Sequence, residues 1–180
     1  DYTEASYVTE NKRSKVQLED FPCMLYNGTP IEFKPEELLN LTVGSVTFID
    51  SNANNKADYI FINKYENMLV QRVSENVVVA YNGFSVNGKQ TLFIDLENED
   101  KKFVFYDNAG NITDYSAVAP MQIISVYTDR GETRFKIHIN DKTAEGIMNA
   151  ISEDDVTIGS ESYDINSQTV FSQAELGDNV

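Results

Sequence analysis

The sequence predicts an all-β protein built from two tandem, small barrel-like or sandwich-like units. Three observations predict this fold class: short runs of alternating apolar and polar residues, turn signals between the runs, and an internal repeat of about 78 residues. The chain has 180 residues, of which 41% are hydrophobic, so it can bury a core in one large or two small units. We therefore predict a lead segment or edge strand at 1–17 and two repeat units at 18–95 and 96–180.

The repeat is found by displacing the chain by 78 residues. Few residues are identical, but the apolar positions coincide over most of the unit. The coinciding pairs are Leu18 and Leu96, Val46 and Ile124, Phe48 and Val126, Tyr59 and Ile137, Phe61 and Ile139, Leu69 and Ile147, Val73 and Ile151, and Val78 and Val156. A preserved apolar pattern of this kind predicts a duplicated supersecondary unit.

Alternation and turn residues predict the individual strands. They lie at 6–9, 15–18, 23–26, 45–49, 59–62, 76–79, 90–95, 103–106, 155–158 and 169–171. Hairpins are predicted at the Asn27-Gly28 turn and at the turn 107–110, because such residues suit tight turns between strands. The alternation is clearest at 135–140, whose three apolar residues share one face of the strand.

Two stretches carry helical signals. At 34–41, Pro35 precedes acidic residues at a suitable first helical position, which predicts a short helical turn in the first unit. At 144–151 the apolar residues have helical spacing, but the repeat aligns this stretch with the strand-like 67–73, and Gly146 disfavours a helix. We therefore predict a strand at 144–151.

The loop at 50–58 has the pattern of a calcium-binding loop. Side-chain oxygens recur at its positions 1, 3, 5 and 9, and a backbone carbonyl is available at position 7. The ligands would be Asp50, Asn52, Asn54, Asp58 and, through its carbonyl, Lys56. With only two carboxylates, the dissociation constant for Ca²⁺ would be on the order of 0.1–1 mM or weaker. The alternative is a plain Asn-rich connection and no cofactor at all.

The corresponding loop of the second unit offers an internal comparison. At 128–136, threonine, arginine and lysine stand at the positions of Asp50, Asn52 and Asp58. Such a loop cannot bind a cation in the same way. The repeat unit is therefore not expected to need a metal ion in order to fold.

Catalytic signals are weak. The single histidine, His138, lies on the polar side of a predicted strand, so the chain offers no histidine pair for zinc. Cys23 lies in an apolar run that predicts a buried strand, and no G-x-S-x-G elbow is present. The carboxylates are so many that no pair is marked out for glycoside hydrolysis. We expect the protein not to be an enzyme.

The charge balance limits the classes of partner. With 29 acidic and 14 basic residues, the formal net charge is −15, which disfavours nucleic acids and anionic membrane surfaces. No apolar run is long enough to span a bilayer. A single cysteine excludes an intrachain disulfide. Divalent cations and basic partners remain compatible with this chain.

The stretches 44–70, 105–129 and 145–165 resemble a module found in large secreted proteins of clostridia and related Gram-positive bacteria. The first stretch, GSVTFIDSNANNKADYIFINKYENMLV, is similar to the module pattern G-x-V-x-F-I-D-x-N-x-D-G-K-A-D-Y-V-F-V, except that Asn54-Asn55 replaces Asp-Gly. Such modules often accompany S-layer homology repeats, which bind cell-wall polymer. The resemblance implies an extracellular location, at the cell surface or in the cell wall.

These inferences together predict a non-catalytic structural or adhesion module, a β spacer beside neighbouring domains of a larger surface protein. The alternative is a module that binds cell-wall glycan or another surface protein through exposed tyrosines. The candidate contact residues are Tyr65, Tyr81, Tyr115 and Tyr163. A polysaccharide hydrolase is the third and least favoured interpretation.

Overall fold

The computed structural model describes residues 4–9, 12–34, 43–165 and 169, and nearly all regular structure in this part of the chain is β. The strands are β1 (Glu4–Thr9), β2 (Lys12–Tyr26), β3 (Thr29–Ile31), β4 (Gly44–Ile49), β5 (Ala57–Lys64), β6 (Glu66–Ser74), β7 (Val77–Ala80), β8 (Thr91–Phe93), β9 (Lys102–Tyr106), β10 (Ile112–Thr113), β11 (Ile123–Thr128), β12 (Arg134–Asn140), β13 (Met148–Ile151), β14 (Asp155–Ile158) and β15 (Glu161–Asp164), with a 3-10 turn at Tyr115–Ala117. The predicted all-β fold class is confirmed.

Two predicted elements fall outside the described ranges. The helical turn predicted at 34–41 lies there except for its first residue, and the strand predicted at 169–171 lies there except for its first residue. The other predicted strands all overlap strands of the structure, although 15–18 and 23–26 are parts of one strand, β2, and the ends of the others differ by up to four residues.

The first sheet has five strands in the order β1-β2-β5-β4, with β3 also paired to β2. The 15-residue β2 is long enough to pair with β1 along its first half and with β3 at its end. Every pair is antiparallel except β2 with β5, which is parallel. The buried core of this sheet consists of Leu18, Met24, Ala57, Ile60 and Ile62.

A wide bulge interrupts β2 where it runs beside β5. Residues 19–22 of β2 oppose a single residue of β5, and Phe21 among them is 93% exposed. Cys23 follows the bulge and is exposed, so the prediction that it lies buried was wrong. Successive side chains of a strand point to opposite faces, and it is Met24 that occupies the core face.

The second sheet has seven strands in the order β10-β9-β12-β11-β6-β7-β8. Its interior strand β12 alternates as predicted: Phe135, Ile137 and Ile139 are buried, and the polar residues between them are more exposed. On the neighbouring β11, Ile124 and Val126 are almost completely buried. The interior positions of these two strands therefore hold the core of the sheet.

The third sheet, β13-β14-β15, contains the stretch that carried helical spacing. The strand predicted at 144–151 is confirmed for its second half, because Met148–Ile151 pairs antiparallel with β14, whereas 144–147 precedes the strand. The turn that follows is closed by the Ser152 amide, which donates to the Asp155 carbonyl at 2.8 Å. Within the described residues, none of the three sheets closes into a barrel.

The contacts divide the chain into two compact units. The first comprises Asp1–Tyr65 and Tyr127–Phe135, and the second comprises Glu66–Val126 and Lys136–Val180. This division differs from the predicted repeat boundaries at 18–95 and 96–180. Those boundaries rest on the sequence offset and stay a prediction.

Candidate cation loop and aromatic surface

The loop between β4 and β5 carries the predicted calcium ligands and is folded by its own asparagine and aspartate side chains. Ala53 and Asn55 adopt positive φ angles of 60° and 67°. Asn55 is the residue that replaces the usual glycine at position 6 of such loops, and asparagine tolerates this left-handed conformation better than most residues. At position 6 the backbone therefore has a conformation that the usual glycine would also accept.

Asp50 organises the first half of the loop. Its carboxylate accepts hydrogen bonds from the amides of Asn54 at 3.2 Å and Asn55 at 2.7 Å. The side-chain oxygen of Asn52 accepts from the same Asn54 amide at 3.1 Å. Two predicted ligand side chains are thus directed at one backbone group inside the loop.

Asp58 closes the second half of the loop. Its carboxylate accepts from the Ser51 hydroxyl at 2.6 Å and from the Ser51 amide at 3.1 Å. The side-chain hydrogen bond from Ser51 is the main cause that lowers the pKa of the Asp58 carboxyl, so it is ionised at neutral pH. Ser51 directly follows Asp50, so the Asp58 carboxylate is bonded to the residue next to the first predicted ligand.

Asn54 connects the loop to the bulge of β2. Its side-chain oxygen accepts from the Lys56 amide at 2.9 Å, and its side-chain nitrogen donates to the Glu19 carboxylate at 2.5 Å. Sequence reasoning missed Glu19, because 35 residues separate it from Asn54 and only the parallel pairing of β2 with β5 brings them together. It adds a third carboxylate next to the loop.

The described residues contain no group of three or more His, Cys, Asp or Glu side chains close enough together to hold a metal ion. A cation at this loop would therefore depend on asparagine and backbone oxygens as well as on carboxylates. Each carboxylate or amide oxygen that accepts one N–H keeps a second lone pair. A hard cation bound by these oxygens would be held weakly.

The β11–β12 loop folds around a carboxylate in a similar way. Asp129 accepts from the amides of Thr133 at 2.7 Å and Arg134 at 2.9 Å, four and five residues further on, as Asp50 does in its own loop. The Thr133 hydroxyl adds a third bond at 2.8 Å. This buried aspartate lies one residue beyond the position that the 78-residue offset assigns to Asp50. Its loop is held by hydrogen bonds, which explains how it folds without the calcium pattern.

The single histidine and one exposed asparagine are held by contacts with neighbouring side chains. The His138 ring stacks on Tyr106 with centroids 4.8 Å apart, and burial, reinforced by the nearby Lys136 charge, lowers the pKa of the imidazole. Asn108 donates a short hydrogen bond to Asp141 on the following strand connection. These contacts fix side chains against one another and show no nucleophile beside a base.

The four candidate tyrosines differ in their exposure. Tyr81 and Tyr163 are 37% and 42% exposed, as a contact surface requires. Tyr65 is half-buried, with its ring 5.1 Å from that of Tyr127. Tyr115 is also half-buried and donates its hydroxyl to the Ser74 carbonyl at 2.7 Å. Only the first two match the prediction of exposed contact residues.

The outer face of the first sheet presents apolar residues that sequence reasoning did not select. Ile49 and Cys23 flank Tyr59 on adjacent strands, and all three are exposed. The Tyr59 ring lies parallel to that of Phe61, with centroids 6.4 Å apart. The alternation of β5 contains the signal, since Ile60 and Ile62 define the opposite, buried face.

Comparison with family models, with curated proteins and with solved structures finds no match to this chain. Among the described residues, no helix has the length and apolar character needed to cross a membrane.

Proposed function

We propose that the chain is a non-catalytic, extracellular structural or adhesion module of a bacterial cell-surface protein, a β spacer built from two copies of one repeat. One observation carries the proposal. Each residue pair that joins β13 to β14 lies 78 positions beyond a residue pair that joins β6 to β7. The bulges correspond as well: one follows Val70 in β6 and the other follows Met148 in β13. A shared bulge is a specific feature, because it changes which residues oppose one another.

Hydrogen bonds within these two hairpins follow the same displacement. The Tyr81 amide donates to the Leu69 carbonyl at 3.0 Å, and the Gly159 amide donates to the Ile147 carbonyl at 2.9 Å. The Ser74 hydroxyl bonds the carbonyl of Val77, as the hydroxyl of Ser152 bonds that of Asp155. Each pair of bonds is related by 78 positions.

The remaining strands support the duplication through their order. The first sheet contains the order β3-β2-β5-β4, and the second contains the order β10-β9-β12-β11. In each sheet, the first strand of one hairpin (β2 or β9) lies beside the second strand of the next hairpin (β5 or β12). Arrays of such units form extended proteins in which each repeat contacts its neighbours. A spacer beside neighbouring domains is the function that this architecture suits.

The cellular setting of the proposal comes from the sequence. The resemblance to secreted clostridial modules supports a location at the cell surface or in the cell wall. A net charge of −15 supports a soluble, hydrated surface and an attraction for cations. Calcium at the β4–β5 loop is part of the proposal, as a weak ligand that would stiffen the first unit.

A retention experiment tests the spacer. The chain is incubated with purified Gram-positive cell walls and with an array of wall glycans, and hydrolysis products are assayed in the same samples. The spacer predicts neither retention nor product. A hydrolase activity that disappears when a single carboxylate is changed would overturn it.

A glycan-binding module is the second candidate, favoured by the exposed rings of Tyr81 and Tyr163. Aromatic rings stack on the apolar faces of sugars, so loss of a ring would weaken binding. Retention on cell walls that falls for Tyr81→Ala or Tyr163→Ala, but not for Tyr115→Phe, would favour this candidate over the spacer.

A further inference from the structure

Among the described residues, seven strands have a single partner strand, and β4 and β13 are two of them. β4 ends the first sheet and β13 ends the third. Edge strands expose backbone groups that can pair with another strand, and proteins normally cover them. The structural counterparts of these two strands in the proposed repeat, β11 and β6, are paired to each other. The pairing of β6 with β11 is therefore an example, within the chain, of the contact that β4 and β13 lack.

Two apolar side chains, one in β13 and one just before it, are more exposed than their counterparts on β6. Ile147, which precedes β13, is 51% exposed, whereas Leu69, its equivalent at the 78-residue offset, is 9% exposed. Ile151 is 47% exposed. Exposed apolar side chains beside an open strand edge are ones that pairing with another strand can bury.

The same contrast holds for β4 and its counterpart β11. On β11, Ile124, Ser125 and Val126 are buried, with at most 1% of each exposed. Their equivalents on β4 are Val46, Thr47 and Phe48, of which two are half-buried and the threonine is exposed. The difference matches the presence of β6 beside β11 and the absence of such a neighbour beside β4 in the described chain.

The backbone of β13 has the polarity that this pairing needs. In the existing pair, the Val70 amide donates to the Gln122 carbonyl at 2.9 Å, and the Met121 amide donates to the Val70 carbonyl at 2.8 Å. The equivalent of Val70 is Met148. Because the Ile147 carbonyl is bonded on the β14 side, strand alternation directs the amide and carbonyl of Met148 to the open side.

We propose that the segment 144–148, which leads into β13 and includes its first residue, pairs antiparallel with β4 of a second copy of this chain, in the register of β6 with β11. That register places Ser45 opposite Ile147, Val46 opposite Gly146, Thr47 opposite Glu145 and Phe48 opposite Ala144. The inference rests on the duplication within the proposed function and names the partner that the module recognises.

The side chains that would meet are compatible. In the existing pair, the Ser125 hydroxyl donates to the Asn67 side chain at 2.9 Å. The equivalent residues are Thr47 and Glu145, a hydroxyl donor and a carboxylate acceptor. None of the four opposed pairs joins two like charges, which matters because the chain as a whole carries a charge of −15.

The geometry of the contact determines the assembly. The segment 144–148 and strand β4 are different parts of the chain, so the contact between two copies is heterologous, and each added copy leaves one unpaired segment of each kind. Such a contact builds rings or open chains of modules. Linear extension at the cell surface is consistent with a spacer.

Disulfide trapping tests the register. Two variants are made in a Cys23→Ser background, one with Ser45→Cys and the other with Ile147→Cys; both positions are exposed, so folding should be retained. Mixed under mild oxidation, they should give a disulfide-linked heterodimer in large excess over either homodimer. The matched control replaces Ile147→Cys by Ile151→Cys, which is equally exposed but lies about 13 Å along the strand at roughly 3.3 Å per residue.

Sedimentation velocity of the uncross-linked Cys23→Ser protein provides the second readout. Association should increase with concentration, and Ile147→Asp should abolish it while leaving the circular dichroism spectrum unchanged. A monomer at every concentration up to about 1 mM, where even a weak pairing would be populated, together with no excess of the matched heterodimer, overturns the proposal. That result would leave the spacer proposal intact, whereas cell-wall retention would overturn the spacer and leave the cross-link unaffected.

Discussion

The side chain of Asn27 forms a two-way hydrogen bond with the backbone of Lys64. Its Nδ2 donates to the Lys64 carbonyl and its Oδ1 accepts from the Lys64 amide, both at 2.9 Å. The same Nδ2 donates to the Thr128 carbonyl at 2.7 Å. Asn27 thus continues the ladder of β5 where the β2–β3 turn begins, and its φ of 47° suits that turn.

Asn27→Ala should destabilise the protein by about 2–4 kcal/mol, because three hydrogen bonds are lost and alanine is strained at positive φ. Asn27→Gly separates the two causes, since glycine accepts the backbone angle but has no amide. Urea unfolding should order the stabilities as wild type, then glycine, then alanine. A glycine variant as stable as the wild type would show that the side-chain bonds contribute nothing.

The calcium proposal predicts saturable binding with a dissociation constant on the order of 0.1–1 mM and a higher melting temperature at millimolar calcium. Asp58→Ala should abolish both effects. Calorimetric titration and thermal melts measure them.

Glu99→Ala is the matched control for this titration, because Glu99 is exposed and lies outside the loop. It removes the same charge and should leave binding unchanged. No heat and no thermal shift up to about 10 mM calcium, beyond the weakest extracellular sites, would make the loop a hydrogen-bonded turn only.

Asp129 should make the stability of the fold dependent on acid pH. Burial raises the pKa of its carboxyl, but hydrogen bonds from the Arg134 amide and from Thr133 outweigh this and hold the pKa below its ordinary value. A carboxyl whose pKa is lower in the folded state stabilises the fold above its unfolded pKa of about 4 and loses this effect as pH falls. Asp129→Asn should therefore be destabilising at pH 7, with a deficit that shrinks towards pH 2. A deficit that does not change with pH would contradict the role of the charge.

Gly44 and Gly28 offer a paired test of backbone strain. Both have positive φ, but a Cβ on Gly44 would lie 2.0 Å from the Asn63 carbonyl oxygen, whereas a Cβ on Gly28 would meet nothing within 4 Å. Gly28→Ala should destabilise by about 1 kcal/mol from the backbone conformation alone. Gly44→Ala should destabilise by more than about 3 kcal/mol, because the clash is with backbone. Equal unfolding free energies for the two variants would contradict this account.

The strands were predictable because their apolar residues alternate, and the Asn27-Gly28 turn because its residues suit positive φ. The exposure of Cys23 was not predictable, because an apolar run alone does not show which alternate residues face the core. In addition, a bulge in β2 directly precedes Cys23. The loop residues were predictable, since they are consecutive in the chain. Glu19 was not, because its contact with Asn54 depends on a parallel pairing that leaves no local signal.

The parallel pairing of β2 with β5 also constrains the order in which the first sheet can assemble. Leu25 and Phe61 face each other across 36 positions of chain, whereas the β4–β5 and β1–β2 hairpins join near neighbours. Bringing together two strands that are distant in the chain costs conformational entropy before their contacts form. The local hairpins should therefore form early, and the pairing of β2 with β5 should form late. The pairing that brings Glu19 to the β4–β5 loop would then be the last one to form within the first sheet.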